Sequence, residues 1–210
     1  MLWMYCVPAL CLLVCLPLFM HYKSALRYPL ASCFKCLGTL CAASLVLIAA
    51  IKLDPRCWIC FAGVMLHTVA DWLLEFNMYV GAGFFLAGHV CYIAFFTKLF
   101  PITSVQLICA VFLLAVTVFC FYRWRKAIGS RMVPMSVYAL ALGLMTACAI
   151  GGLTAHTLQG QLIAIGGALF FISDSLICAR LLFTAGKGVD WVIMVTYYAA
   201  QLLFGIACLQ

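Results

Sequence analysis

The sequence predicts an all-α fold, a polytopic transmembrane helix bundle of eight spans that makes a single integral membrane domain over residues 1–210. Three observations carry that expectation. The chain is 69% hydrophobic and 8% charged, with mean hydropathy +1.23, whereas a soluble domain carries about 25% charged residues. Eight apolar runs reach the length of about 20 residues that a bilayer crossing takes. The basic residues fall mainly in the short breaks between those runs, and more of them on one side than on the other.

The first run, Leu2–Met20, starts at the N-terminus without a basic leader or a small-residue cleavage site, so it reads as a retained helix and not as a signal peptide. After K-S-A-L-R comes Tyr28–Ile51, which holds one base, Lys35, in its interior. The break K-L-D-P-R leads to Cys57–Phe76, the span that carries Asp71 in H-T-V-A-D-W-L-L-E-F. Only Glu75 and Asn77 separate it from Tyr79–Phe100, which makes F-N-M the least marked break. P-I-T-S opens Ser104–Tyr122, and R-W-R-K-A-I-G-S-R leads to Met132–Leu153. T-A-H-T-L-Q-G precedes Gly160–Phe183, whose run G-G-A-L-F-F-I-S-D-S-L-I-C-A-R-L-L-F encloses a second carboxylate, Asp174. T-A-G-K-G-V-D introduces the last span, Val189–Leu209.

Orientation follows from the bases. Lys23, Arg27, Arg123, Arg125, Lys126, Arg131, Arg180 and Lys187 lie after the odd-numbered spans, against Lys52, Arg56 and Lys98 on the opposite side. The positive-inside rule places the first set in the cytoplasm and both termini on the non-cytoplasmic side. On that topology Asp71 and Asp174 share one depth in the cytoplasmic half. Lys35, Tyr138, Tyr197 and Gln201 converge on the same layer, with His89 near the middle of its span. V-A-D-W-L-L and I-S-D-S-L-I, half a chain apart, echo one another as a parallel internal repeat would. The net charge of +7 sits in loops, which fits contact with bilayer phosphates and not with nucleic acid. A bacterial inner membrane and the endoplasmic reticulum accommodate such a chain equally.

An ionisable group inside a span is costly, and by default marks a functional site. Two carboxylates in one low-dielectric layer do not both ionise easily, so one can hold a proton and act as general acid while the other acts as base or charge stabiliser. The plainer alternative is that each aspartate satisfies a buried partner such as Lys35. His67, Asp71 and Glu75 share a helix face at i, i+4, i+8. Hard cations need more oxygen ligands than that, and zinc more His or Cys, so no metal is expected. Cys33-x2-Cys36 and Cys57-x2-Cys60 match a zinc-ribbon spacing. The starts of successive antiparallel spans, however, lie about 30 Å apart across the bilayer. The 14 cysteines read as small core residues with few or no disulfides. Tyr92, Tyr138, Tyr197 and Gln201 either orient a ligand or join helices, and His89 is a candidate for the cavity wall.

Several stretches taken together resemble the YhhN-like lysoplasmalogenase family of eight-span membrane proteins. They are G-A-L-F-F-I-S-D-S-L at Gly167–Leu176, G-V-M-L-H-T-V-A-D-W-L-L at Gly63–Leu74 and F-F-L-A-G-H-V-C-Y-I-A-F at Phe84–Phe95. P-M-S-V-Y-A-L at Pro134–Leu140 and T-Y-Y-A-A-Q-L-L at Thr196–Leu203 match later family features, and Lys35 aligns with a family Lys-Pro in which Cys36 replaces the proline. The resemblance implies hydrolysis of the vinyl ether bond of a lysoplasmalogen, a lysophospholipid substrate, to a fatty aldehyde and a glycerophospho-base. It implies no metal or redox cofactor. Asp71 and Asp174 would then be the catalytic pair, in either order. Lys35 and Arg180 would meet the phosphate, and His89, Tyr138, Tyr197 and Gln201 would line the pocket. The rival class is a proton-coupled transporter, since membrane carboxylates also relay protons. An intramembrane aspartyl protease is disfavoured, because Ala70 and Ser173 precede the two aspartates where that class has Tyr and Gly.

Overall fold

A computed structural model describes residues 3–184 and 186–210 of the chain. The first span begins as α1, Trp3–Leu10, widens into a π turn at Cys11–Cys15, and continues as α2, Leu16–Ser24. The Leu16 N–H reaches back five residues to the Cys11 carbonyl, and Pro17, without an N–H of its own, follows at once. The expected start at Leu2 lies outside the described residues. Then come α3 Tyr28–Lys52, α4 Cys57–Leu73, α5 Met78–Leu99, α6 Ser104–Arg123 and the short α7 Arg125–Ile128. The chain ends with α8 Met132–Ile150, α9 Leu158–Leu182 and α10 Lys187–Ala207. No strand occurs among the described residues. Among the described residues seven helical stretches are long and apolar enough to cross a membrane, and α4, of 17 residues, is apolar but shorter. The protein is an all-helical integral membrane protein.

Six helices close into a ring, with contacts running α3–α4–α5–α8–α9–α10 and back to α3. Outside it, α2 lies on α3 and α6 on α8. Ile108, Val111, Phe112 and Phe119 of α6 face outward, as lipid-facing residues do. The pattern maps onto itself when α2, α3, α4 and α5 are exchanged for α6, α8, α9 and α10. Asp71 and Asp174 are 103 residues apart, and so are Lys35 and Tyr138. Shifted by 103, α3 falls on residues 131–155, which are α8 and the 3-10 turn Gly151–Ala155 that prolongs it. The echo between the two aspartate motifs thus has a counterpart in the packing.

One boundary departs from expectation in a way that shapes the site. The third span ends at Leu73, not Phe76, because residues 74–76 form a tight turn. Asn77 then caps α5, its side-chain oxygen accepting from the Tyr79 and Val80 N–H groups at 3.0 and 3.2 Å. Asp71 therefore lies two residues from the end of α4, whereas Asp174 lies eight residues from the end of α9. At 1.5 Å per residue the difference is about 9 Å. The α4–α5 hairpin is recessed from the face where Lys23, Arg131 and Arg180 cluster, and a cavity fills the recess.

Close helix packing beneath that recess depends on Gly88. A Cβ there would overlap the His67 ring and sit 3.0 Å from the Gly63 carbonyl oxygen. Gly83, five residues earlier on α5, has nothing within 4 Å of its Cβ position. Gly88→Ala is expected to lower stability by about 1–3 kcal/mol, while Gly83→Ala should leave it unchanged or raise it by up to about 1 kcal/mol. Thermal unfolding of the detergent-solubilised protein measures both, and equal effects would contradict the α4–α5 contact.

Candidate active site

The two intramembrane carboxylates sit in separate hydrogen-bonded groups. Asp71 is fully buried. The Lys35 ammonium lies 3.0 Å from its Oδ1. Oδ2 accepts from the Thr39 hydroxyl at 2.6 Å and the Tyr197 hydroxyl at 2.8 Å. Lys35 and Thr39 are four residues apart on α3, so they share the face turned to α4, and α10 delivers Tyr197 from the other side. A buried ionised carboxylate needs both a counter-charge and further donors, and Asp71 has them.

Asp174 is placed differently. Its Oδ2 accepts from the Tyr138 hydroxyl of α8 at 2.5 Å and lies 3.4 Å from His89 Nε2 of α5. Tyr138 spends its only proton on Asp174, so the 3.2 Å contact with His89 requires His89 Nε2–H as donor. His89 Nδ1 is then a buried acceptor without a partner among the described residues. The preceding Ser173 hydroxyl donates to the Ile193 carbonyl at 3.0 Å and fixes this part of α9 against α10. Asp174 is 3% exposed, and its exposed edge faces the cavity.

That cavity, of about 390 Å³, lies within the range of small-molecule sites. Lys35, Tyr138 and Asp174 line it at depth, Arg180, Lys23 and Asp190 line it at the basic face, and Met135, Ile177 and Met194 contribute apolar wall. Asp71 is absent from the wall and stands behind Lys35. Tyr197 and His89 are likewise one layer back, engaged with the two aspartates, and the Phe170 ring lies between them at 5.5 and 5.1 Å. Gln201 is farther still. It is 1% exposed, accepts from the Tyr92 hydroxyl at 2.6 Å and donates to His67 Nδ1 at 2.8 Å. His67 passes its own Nε2 proton to the Phe85 carbonyl at 3.2 Å, so it belongs to that chain and not to Asp71. A wider groove between α6 and α8 is almost wholly apolar and faces outward, where lipid would lie.

Two participants escaped the sequence reading. Thr39 could have been found by its i+4 spacing from Lys35. Asp190 falls in the first turn of α10, inside what reads as a loop, and its partners Lys23 and Arg180 come from α2 and α9. Glu75 lines the cavity mouth.

A family model described as the YhhN family matches residues 30–207 of the chain. No curated protein and no solved structure matches it.

The geometry predicts an asymmetric response at the ion pair. Lys35→Met leaves a charge with no exposure unpaired, and should destabilise the protein by about 3–5 kcal/mol. Asp71→Asn leaves Lys35 free to reach the cavity, and should cost less. In a double-mutant cycle, Lys35→Met combined with Asp71→Asn should recover most of the loss, and simple additivity would contradict the pairing.

Proposed function

The chain belongs to the YhhN family, and on that footing we propose that it is a lysoplasmalogenase-like hydrolase that opens the vinyl ether bond of a lysophospholipid. The observation that carries the reading is the carboxyl of Asp174 on the deep wall of a cavity whose mouth is basic and whose sides are apolar. A lysoplasmalogen has that order of parts: a headgroup with an anionic phosphate, a short glycerol, a reactive C=C–O unit and a hydrocarbon tail. The headgroup stays at the basic face, which the positive-inside rule assigns to the cytoplasm. The alkenyl chain lies among Met135, Ile177 and Met194 and enters from the bilayer side.

In the first step Asp174 gives its proton to the vinyl carbon one bond away from the ether-bearing carbon. The C=C electron pair forms the new C–H bond, and the ether oxygen shares the positive charge that results as an oxocarbenium ion. The Asp174 carboxylate then takes a proton from the water that attacks the cationic carbon, giving a hemiacetal. Collapse breaks the C–O bond to glycerol as the hydroxyl proton passes to the departing alkoxide, and it releases aldehyde and glycerophospho-base. The sum is vinyl ether plus water, with no electrons gained or lost. One carboxyl serves as acid and then as base, in the manner of the carboxyl acid/base of retaining glycosidases.

Asp71 supplies charge stabilisation from behind. A bare Lys35 ammonium beside the cavity would oppose an oxocarbenium ion, and the Asp71 carboxylate 3.0 Å away makes the pair neutral. Tyr138 and His89 hold the Asp174 carboxyl in one orientation. Beyond this layer the ring interior is filled by Tyr92, Phe96, Phe170 and Phe204, all fully buried. A cavity that ends on packed aromatics favours chemistry over proton-coupled passage of a solute through the bundle.

The test is fatty aldehyde release by purified protein in detergent from choline and ethanolamine lysoplasmalogens. Asp174→Asn should lower turnover by about 10²–10⁴-fold. Asp71→Asn should lower kcat by less, with KM little changed. Undiminished release by folded Asp174→Asn would remove that carboxyl from the reaction. Absence of release by a folded parent protein would favour the transporter instead.

A further inference from the structure

At the cavity mouth three charged side chains from three helices meet. Asp190 Oδ2 lies 3.3 Å from the Lys23 ammonium of α2, and Asp190 Oδ1 is paired with the Arg180 guanidinium of α9. All three line the cavity that holds Asp174 at its deeper end, and the proton-transfer chemistry uses none of them. Their side chains are 26% (Lys23), 23% (Asp190) and 43% (Arg180) exposed. Arg180 is the most open of the three, so an incoming anion can reach it from the cavity mouth and share the two cations while Asp190 stays between them.

The distance suits a phospholipid. Arg180 follows Asp174 by six residues on α9, a rise of about 9 Å. Seven bonds separate the vinyl carbon that accepts the proton from the phosphorus atom. An extended chain advances roughly 1.2 Å per bond, which gives about 8 Å. With the vinyl ether at Asp174, the phosphate reaches Arg180 and Lys23.

The charge count is selective as well. Lys23 and Arg180 share one carboxylate, which leaves one net positive charge. Arg131 and Glu75, the other charged groups at this rim among the described residues, add one of each sign. A phosphodiester carries a single negative charge and matches the remainder. A phosphomonoester carries about 1.5 to 2, and its excess would face the Asp190 carboxylate. We propose that Asp190 is the specificity-determining residue of a headgroup subsite made with Lys23 and Arg180, and that it favours phosphodiester lysolipids over phosphomonoester ones. The proposal rests on the hydrolase reading for its substrate and on the ion cluster for its selectivity.

The experiment compares kcat/KM of the full chain for 1-alkenyl-glycerophosphoethanolamine and 1-alkenyl-glycerol-3-phosphate. The parent protein should prefer the diester. Asp190→Asn should move the ratio toward the monoester by at least about fivefold, chiefly through KM, because it removes a like-charge contact. Asp190→Glu should keep the parent preference. The same pairs of lipids with non-hydrolysable 1-alkyl chains, read by thermal stabilisation, report binding without turnover. A shift of binding preference in Asp190→Asn supports the subsite even if the parent releases no aldehyde, a result that would count against the hydrolase reading alone. An unchanged preference in both measurements overturns the role of Asp190.

Discussion

Burial of the Asp71 carboxylate is the constraint on which the rest of the bundle depends. A charge with no exposure inside a membrane protein is tolerated only when a counter-charge and hydrogen-bond donors meet it. Lys35 and Thr39 bring α3 to it, and Tyr197 brings α10. That last contact ties a helix of the second half of the chain to one of the first. Asp174 makes the reciprocal connection, drawing Tyr138 from α8 and His89 from α5. The two carboxylates therefore strap the halves together from both sides, and the six-helix ring closes around them.

The near-symmetry makes the difference between the two positions informative. In corresponding places, 103 residues apart, stand Lys35 and Tyr138. An ammonium beside Asp71 completes an ion pair, whereas a phenol beside Asp174 supplies one hydrogen bond and no charge. Helix length breaks the symmetry a second time. Because α4 stops at Leu73, the cavity opens above the first-half hairpin and reaches Asp174, while Asp71 remains sealed behind Lys35. On the proposed hydrolase reading, one carboxylate holds the architecture and the local charge balance, and the other is left available for chemistry.

Much of this was legible in the sequence. Long apolar runs punctuated by Pro, Gly and clustered bases place α3, α5, α6 and α10 within about two residues of where they lie. Counting residues inward from the loops also brings Asp71, Asp174, Lys35, Tyr138 and Tyr197 into one layer. Rotation of each helix about its axis was not legible, and rotation decides which side chain meets which. Hence Gln201, at a suitable depth, turns to Tyr92 and His67 instead of the cavity. Thr39 carries only its i+4 spacing from Lys35 as a signal, since a lone hydroxyl in an apolar span does not by itself show which way it turns. The end of α4 was misplaced because Leu74 and Phe76 are as apolar as a helix interior, and only the Asn77 cap shows that the chain has turned. Asp190 was hidden by distance along the chain from Lys23.

The proposed hydrolysis turns on a carboxyl at the cavity's deep end that protonates carbon. Hydrolysis of a lysoplasmalogen in deuterium oxide, with the aldehyde trapped as it forms and read by mass spectrometry, tests that step most directly. One deuterium should appear on the carbon beside the carbonyl, and label from oxygen-18 water should appear in the aldehyde and not in the glycerol fragment. An aldehyde without deuterium at that carbon, or labelled oxygen retained in the glycerol fragment, would contradict the mechanism.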